Sequence, residues 1–275
     1  MAAHPEGTRM KEISFTLLGI PLLFRTNSGY LAEFLPSFLG AADMQRDPLP
    51  GATLAALRLP ESALDHPEDP EKVMPFLARA VHRIAVALNS RFLFLHACGI
   101  VFNKRAFLFC GRSESGKTTL AMMAQILGYE VLGEDMVAVE WEAGMVYPLS
   151  IPFRPRPFTR KLVSRWAQRS GAGEIGFPHR PRACPEGRPL DTVYLQGIGS
   201  RSRLEALLKS SFGRPDIPDS DLLLQAARAV RKCRIISCDK VNIDPDIQNS
   251  ELAAVFRSWA ASGLKIPPAA IFGPR

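Results

Sequence analysis

The chain has no apolar run long enough to cross a membrane. Its hydrophobic stretches are broken by polar residues well short of the roughly 20 residues that a spanning helix needs. The N-terminal stretch, Met1-Ala2-Ala3-His4-Pro5-Glu6, lacks the basic region and apolar core of a secretory signal. The five cysteines, Cys98, Cys110, Cys184, Cys233 and Cys238, are odd in number and follow no metal-ligand spacing. Cys98 and Cys110 lie in apolar segments and read as small core residues, so a reducing cytoplasm is the expected compartment. No DNA- or RNA-binding module signature is present, and neither nucleic acid nor membrane is an expected partner. Internal repeats, low-complexity tracts and a clear linker are also missing.

What is present is a 275-residue chain with 23 prolines and a net charge of +7. That length can bury a substantial core in one large domain or two small ones. The basic charge suits an acidic protein or peptide partner, or simply solubility. The stretch that organises the chain runs from Ala106 to Glu140. Ala106–Cys110 is apolar and reads as a buried strand; Thr119–Leu127 carries Leu120, Met123, Ala124 and Leu127 at helical spacing and stops at Gly128. Between them, Gly111-Arg112-Ser113-Glu114-Ser115-Gly116-Lys117-Thr118 fits the pattern G-x-x-x-x-G-K-[ST] at every required position. With glycine at about 7% of residues, a chain of this size meets that pattern by accident roughly once in a hundred.

The chemistry follows from the context. Backbone N–H groups of the loop, the positive end of the helix and the Lys117 charge all favour a phosphate chain. Gly111 to Thr119 is therefore the expected ATP cradle, and the Thr118 hydroxyl is a candidate Mg²⁺ ligand. Downstream, Glu134-Asp135 interrupts an apolar segment, where unpaired charge is costly. A strand-borne Asp in this position relative to a P-loop holds Mg²⁺, so Asp135 is read as the second metal residue. His96 ends the apolar strand Arg91–Leu95 and precedes a second strand, Gly99–Phe102, with Asn103-Lys104-Arg105 as the turn before the P-loop strand.

Elsewhere, Lys11–Phe24 reads as one or two strands with a turn at Gly19-Ile20-Pro21, and Tyr30–Leu39 as a short helix broken at Pro36. Leu54–Leu59 reads as a strand, and a helix runs from Glu71 or Lys72 to about Asn89 with Pro75 in its first turn. Its expected buried face is Val73, Phe76, Leu77, Ala80, Ile84 and Leu88. After a hairpin return at Gly144–Tyr147, Ile151-Pro152-Phe153-Arg154-Pro155-Arg156-Pro157-Phe158 is stiff and extended, with Arg154 and Arg156 able to reach phosphates or an acidic peptide. Helices are expected over Thr159–Ser170, Leu204–Phe212, Asp219–Lys232 and Ser250–Ala261, with strands at Asp191–Gln196 and Arg234–Ser237 and a mobile loop over Gly171–Pro189. The simplest organisation is α/β: a strand-rich extension with its packing helix over residues 1–90, and a P-loop domain over 91–275.

The order of these features resembles the catalytic domain of HPr kinase/phosphorylase. The resemblance is carried by His96-Ala97-Cys98-Gly99, the apolar hairpin to Cys110, the P-loop, the helix ending at Gly128 and the Glu134-Asp135 pair. It is good over residues 92 to 140 and only an outline beyond. It implies a mixed-sheet nucleotide site shared with phosphoenolpyruvate carboxykinase, and the chain looks like the short stand-alone kinases encoded beside lasso-peptide biosynthesis genes. By that resemblance the reaction is ATP- and Mg²⁺-dependent phosphorylation of a hydroxyl, a serine of a peptide or small protein. Glu134 would orient or deprotonate the acceptor, His96 would position phosphate oxygens, and Arg154 and Arg156 would contact the acceptor. Two positions depart from the family: Glu114 stands where glycine is usual, and Glu134 where the first Asp of a pair is usual. A nucleotide-binding regulatory protein and a small-molecule kinase are the alternatives, and a second copy of the chain is an open partner.

Overall fold

The computed structural model describes residues 11–26, 28–39, 44–45, 53–54, 69–88, 91–149, 151–170, 186–196, 203–212, 219–231, 233–238, 254–255, 258–259 and 262. The chain divides into two compact units, 1–89 and 90–275.

In the first unit, β1 (Lys11–Leu17) and β2 (Ile20–Thr26) form an antiparallel hairpin, flanked by the short strands β3 (Met44–Gln45) and β4 (Thr53–Leu54) in the order β3-β1-β2-β4. The turn is Leu18-Gly19, both at positive φ, rather than Gly19-Ile20-Pro21; Pro21 lies near the start of β2 opposite Thr16. A two-residue turn of this kind has the twist that the paired strands demand. Helix α1 (Gly29–Leu39) starts on Ser28, whose Oγ accepts the Leu31 N–H at 3.2 Å. It runs through Pro36 instead of breaking there: proline removes one helix hydrogen bond, while Leu31, Phe34, Leu35 and Phe38 are all buried. Helix α2 (Pro70–Leu88) begins one or two residues earlier than expected, with Pro70 first and the Asp69 carbonyl accepting the first helix hydrogen bonds, so Pro75 sits in the second turn. Its buried stripe is Val73, Leu77, Ala78, Val81 and Ala85, with Phe76, Ala80 and Ile84 only half-buried. Most of the expected Leu54–Leu59 strand lies outside the described residues.

The second unit is α/β, with a mixed eight-stranded sheet and several helices. β6 (Ala97–Phe102) and β7 (Arg105–Gly111) make a hairpin through Asn103 and Lys104, both at positive φ. β7 runs parallel to β11 (Arg188–Gln196), which runs parallel to β12 (Arg234–Cys238). On its other edge β6 pairs with β8 (Glu130–Gly133). A second half, β5 (Phe92–Leu95), β9 (Val137–Glu140) and β10 (Met145–Tyr147), is antiparallel and joins the first where Met145 meets Pro189 at the start of β11.

Period-two alternation distributes the strands over two cores. Ile100, Phe102, Phe107, Phe109 and Tyr194 pack against helix α3 (Lys117–Ile126), helix α4 (Pro157–Ser170) and Trp259. Ala106, Leu108, Cys110, Val193 and Leu195 face the other way and share a core with Leu93, Leu95, Val137 and Val139 of β5 and β9. The two halves of the sheet therefore pack face to face. Helices α5 (Arg203–Lys209) and α6 (Asp219–Val230) add Leu207 and Ala226 to that second core. β11 starts three residues before the expected strand, taking in Pro189 from the predicted loop, whose residues 171–185 lie outside the described set. Of the predicted final helix, only 254–255 and 258–259 are described, and they are helical. No helix among the described residues is long and apolar enough to cross a membrane.

This topology creates one edge that matters. β7, β8 and β11 point the same way, so Gly111, Gly133 and Gln196 end together, and β6 begins beside them. The chain crosses between the two halves of the sheet twice at that edge, once at His96 (β5 to β6) and once at Glu134-Asp135 (β8 to β9). Because β5 pairs with β9 and β6 with β8, the two crossings are neighbours. Ligands of open α/β sheets collect at carboxyl ends of parallel strands for this reason.

Candidate active site

The loop after β7 is wound around a lysine. Lys117 is buried, and its Nζ donates to the carbonyls of Gly111 at 2.8 Å and Arg112 at 3.0 Å. Burial lowers its pKa below the usual lysine value, and the charges of Asp135 and Glu134 pull the other way. The tight turn needs Gly111, where a Cβ would run into the side chain of Ser115. Ser115 donates to Gln196 Oε1 at 3.2 Å, tying the loop to the end of the neighbouring parallel strand. Gly116 precedes α3 in the left-handed region at φ 88°, with no side-chain cap on the helix, so the first-turn N–H groups are presented as an anion site. Thr119 Oγ1 lies 3.1 Å from Thr159 Oγ1, which docks α4 on the first turn of α3.

Glu114 also adopts a positive φ, 68°, a conformation that favours glycine. Its carboxylate turns outward to pair with Arg156, which also donates to Ser113 Oγ at 3.2 Å. Glu114 and Arg156 are both exposed, 65% and 63%, so the pair is screened and weak, but it settles where the acid goes.

The acid pair does not lie inside a strand, as the sequence suggested; it occupies the bend between β8 and β9. The close approach of the chain to itself requires Gly133, where a Cβ would meet the Met136 carbonyl at 2.5 Å. Glu134 is buried, and burial raises its pKa above the usual carboxylate range, opposed by a hydrogen bond to Thr118 and by Arg154. Its Oε1 accepts the backbone N–H of Arg154 at 2.9 Å. Asp135 is more accessible, at 31%, and meets His96 Nε2 at 2.8 Å on one oxygen and Arg154 Nη2 on the other. An ionised carboxylate only accepts, so His96 carries its proton on Nε2 in that bond.

Ser210 to Phe212 hold His96 in place. The His96 N–H donates to the Ser210 carbonyl at 2.6 Å, Phe212 N–H donates to Phe94 O at 2.9 Å, and the Phe212 ring lies edge-on to the imidazole at 5.8 Å. Sequence reasoning missed this support, as it missed Gln196 and Thr159. Its place as the polar end of the expected strand Asp191–Gln196 was the one signal that pointed to Gln196.

The structure thus gathers His96, the Gly111–Thr119 loop, Glu134, Asp135 and Arg154 at one edge, with Arg156 on the outer side of the loop. Both arginines pair with acids of the site, Arg154 with Asp135 and Arg156 with Glu114. Hydrogen bonding also couples Thr118 to Glu134.

Among the described residues, no group of three or more His, Cys, Asp or Glu side chains is arranged to hold a metal ion unaided. Mg²⁺ does not require one: it keeps several waters and takes one or two carboxylates beside substrate phosphates. Thr118, Glu134 and Asp135 supply hard oxygens, and two adjacent carboxylates already draw in the positive charge of Arg154. The donor set fits the ion. Comparison with protein-family models and with curated protein sequences found no match to the chain.

Proposed function

We propose that this protein is an ATP- and Mg²⁺-dependent kinase of the HPr-kinase-like type, phosphorylating a hydroxyl, a serine, of a peptide or small protein such as a lasso-type precursor. The observation that carries the reading is the meeting of a buried P-loop lysine with an acid pair and a histidine at one strand edge. The loop N–H groups, the start of α3 and Lys117 would hold the β- and γ-phosphates. Thr118 and Asp135 would hold Mg²⁺, which when bound neutralises charge on the phosphate oxygens. His96 orients Asp135. Glu134, whose burial raises its proton affinity, takes the proton of the acceptor hydroxyl. The acceptor oxygen bonds to the γ-phosphorus as the bond from that phosphorus to the β–γ bridging oxygen breaks, and ADP leaves. Each of these roles is a charge or donor at a fixed place, which is how phosphoryl transfer is catalysed.

The test is label transfer from γ-labelled ATP to a serine-bearing precursor peptide by the purified protein. Transfer should be lost in Lys117→Ala and in Asp135→Asn; transfer that persists in both would remove the site assignment. One observation favours a second reading: Arg154 occupies the acid pair, as expected of a nucleotide-binding regulatory protein that does not turn over. Tight ATP binding with no transfer to any peptide or metabolite would support that reading over the kinase.

A further inference from the structure

Arg154 combines a firmly held backbone with a guanidinium that is only partly engaged. Phe153 before it is fully buried, and Pro155 after it is buried and locked at its own φ. Its N–H is fixed on Glu134 Oε1 at 2.9 Å. The guanidinium, by contrast, is incompletely satisfied. Nη2 pairs with Asp135, while Nε is buried without a hydrogen-bond partner among the described residues, 3.8 Å from Glu134 Oε1. A buried donor left unspent is costly, and an arginine fork has capacity for planar, two-point contact with an oxyanion. Two residues on, along the same extended segment, Arg156 takes the outward Glu114, so side chains of the same face grip both acidic features of the site.

Resting on the kinase reading above, we infer that Arg154 is an exchange cation and a catalytic residue. In the nucleotide-free protein it balances the acid pair. With a divalent ion and ATP bound, Asp135 would hold the ion and the guanidinium would face the terminal phosphate. A divalent ion at Asp135 would repel the guanidinium paired with that acid, so the two cations compete for its charge. The displaced guanidinium would remain tethered within a side chain's length of the acids, because the Arg154 N–H is fixed on Glu134. It thereby supplies positive charge to the transferring phosphoryl group, a contact that ADP does not offer.

Two measurements test this. Mn²⁺ is titrated into the nucleotide-free protein and followed by its free-ion paramagnetic resonance signal, comparing the natural chain with Arg154→Met and Arg154→Lys. Arg154→Met should bind Mn²⁺ about tenfold more tightly and Arg154→Lys by less. ATP and ADP affinities are then compared in the same proteins. Arg154→Met should lose about tenfold in preference for ATP over ADP, with ADP binding little changed. Should Arg154→Met not fold, the lysine variant decides: it keeps charge but not the fork, so ATP preference must fall. Equal Mn²⁺ affinity together with an unchanged ATP/ADP ratio overturns the inference while leaving the kinase reading intact. A natural chain that binds neither nucleotide overturns both.

Discussion

Replacing Glu114 by glycine separates backbone strain from electrostatics in the loop. Glu114 adopts φ 68°, which costs a non-glycine residue about 1 kcal/mol. Glycine removes that cost but loses roughly 0.5–1 kcal/mol through the greater freedom of the unfolded chain. It also removes the pair with Arg156, which at 65% and 63% exposure contributes between about 0 and 1 kcal/mol. These contributions nearly cancel, so Glu114→Gly should move the thermal midpoint by no more than about 4 °C. Glu114→Ala keeps the strained φ and still loses the pair, so it should be the less stable of the two. ATP binding should respond differently. A carboxylate about 8 Å from a phosphate charge, in water-like screening, opposes it by roughly 0.5 kcal/mol, and two such phosphate charges make about 1 kcal/mol. Both variants should therefore bind ATP about fivefold more tightly, with Arg156 released to help. The gain should shrink in 1 M salt, where screening acts within about 3 Å. Calorimetric titration of ATP at low and high salt is the assay. Unchanged or weaker binding in both variants would refute the placement of Glu114 at the phosphate cradle.

Lys117→Met should weaken ATP binding by about a hundredfold, since a charge-assisted contact of roughly 2–3 kcal/mol is lost; equilibrium dialysis with labelled ATP measures it. Asp135→Asn should lower phosphoryl transfer by at least about a hundredfold with the fold retained, read by single-turnover labelling and circular dichroism. The pH profile of kcat/KM should have an acid limb above the usual carboxylate range, because Glu134 must be deprotonated to accept a proton and its pKa is raised, so activity is lost as pH falls through that raised value. An alkaline limb should lie below the ordinary lysine range, since Lys117 must be charged, its pKa is lowered, and binding is lost as pH rises through it; Glu134→Gln should abolish the acid limb only. Gly128→Ala meets no atom within 4 Å but enforces φ 86°, so it should destabilise by about 1 kcal/mol in denaturant unfolding with nucleotide affinity unchanged.

The strand, loop and helix of the candidate phosphate cradle were legible because they are contiguous. An apolar strand, a glycine-framed loop and a helix opening on a lysine follow one another within twenty residues, and each obeys a local rule of backbone geometry. Element ends shifted where a local signal was weaker than packing. Proline at 36 should end a helix, yet four buried apolar side chains carry α1 past it. The hairpin turn moved to Leu18-Gly19 because pairing of β1 with β2 selects the twist, whichever residues look like a turn. The acid pair was visible as an anomaly in an apolar segment, but its bend was not.

Sequence alone determined which groups are on offer: a glycine-framed loop before a helix, a lysine, two carboxylates, a histidine and two arginines on a stiff extended segment. Only the tertiary structure decided which of them meet. His96 reaches Asp135 across 39 positions because two crossings between the halves of a folded sheet fall side by side. Arg154 belongs to the acids, and Arg156 to the loop, for the same kind of reason. Backbone rules act over a few residues and can be read in order; charge pairing acts through space, between groups that strand pairing brings together.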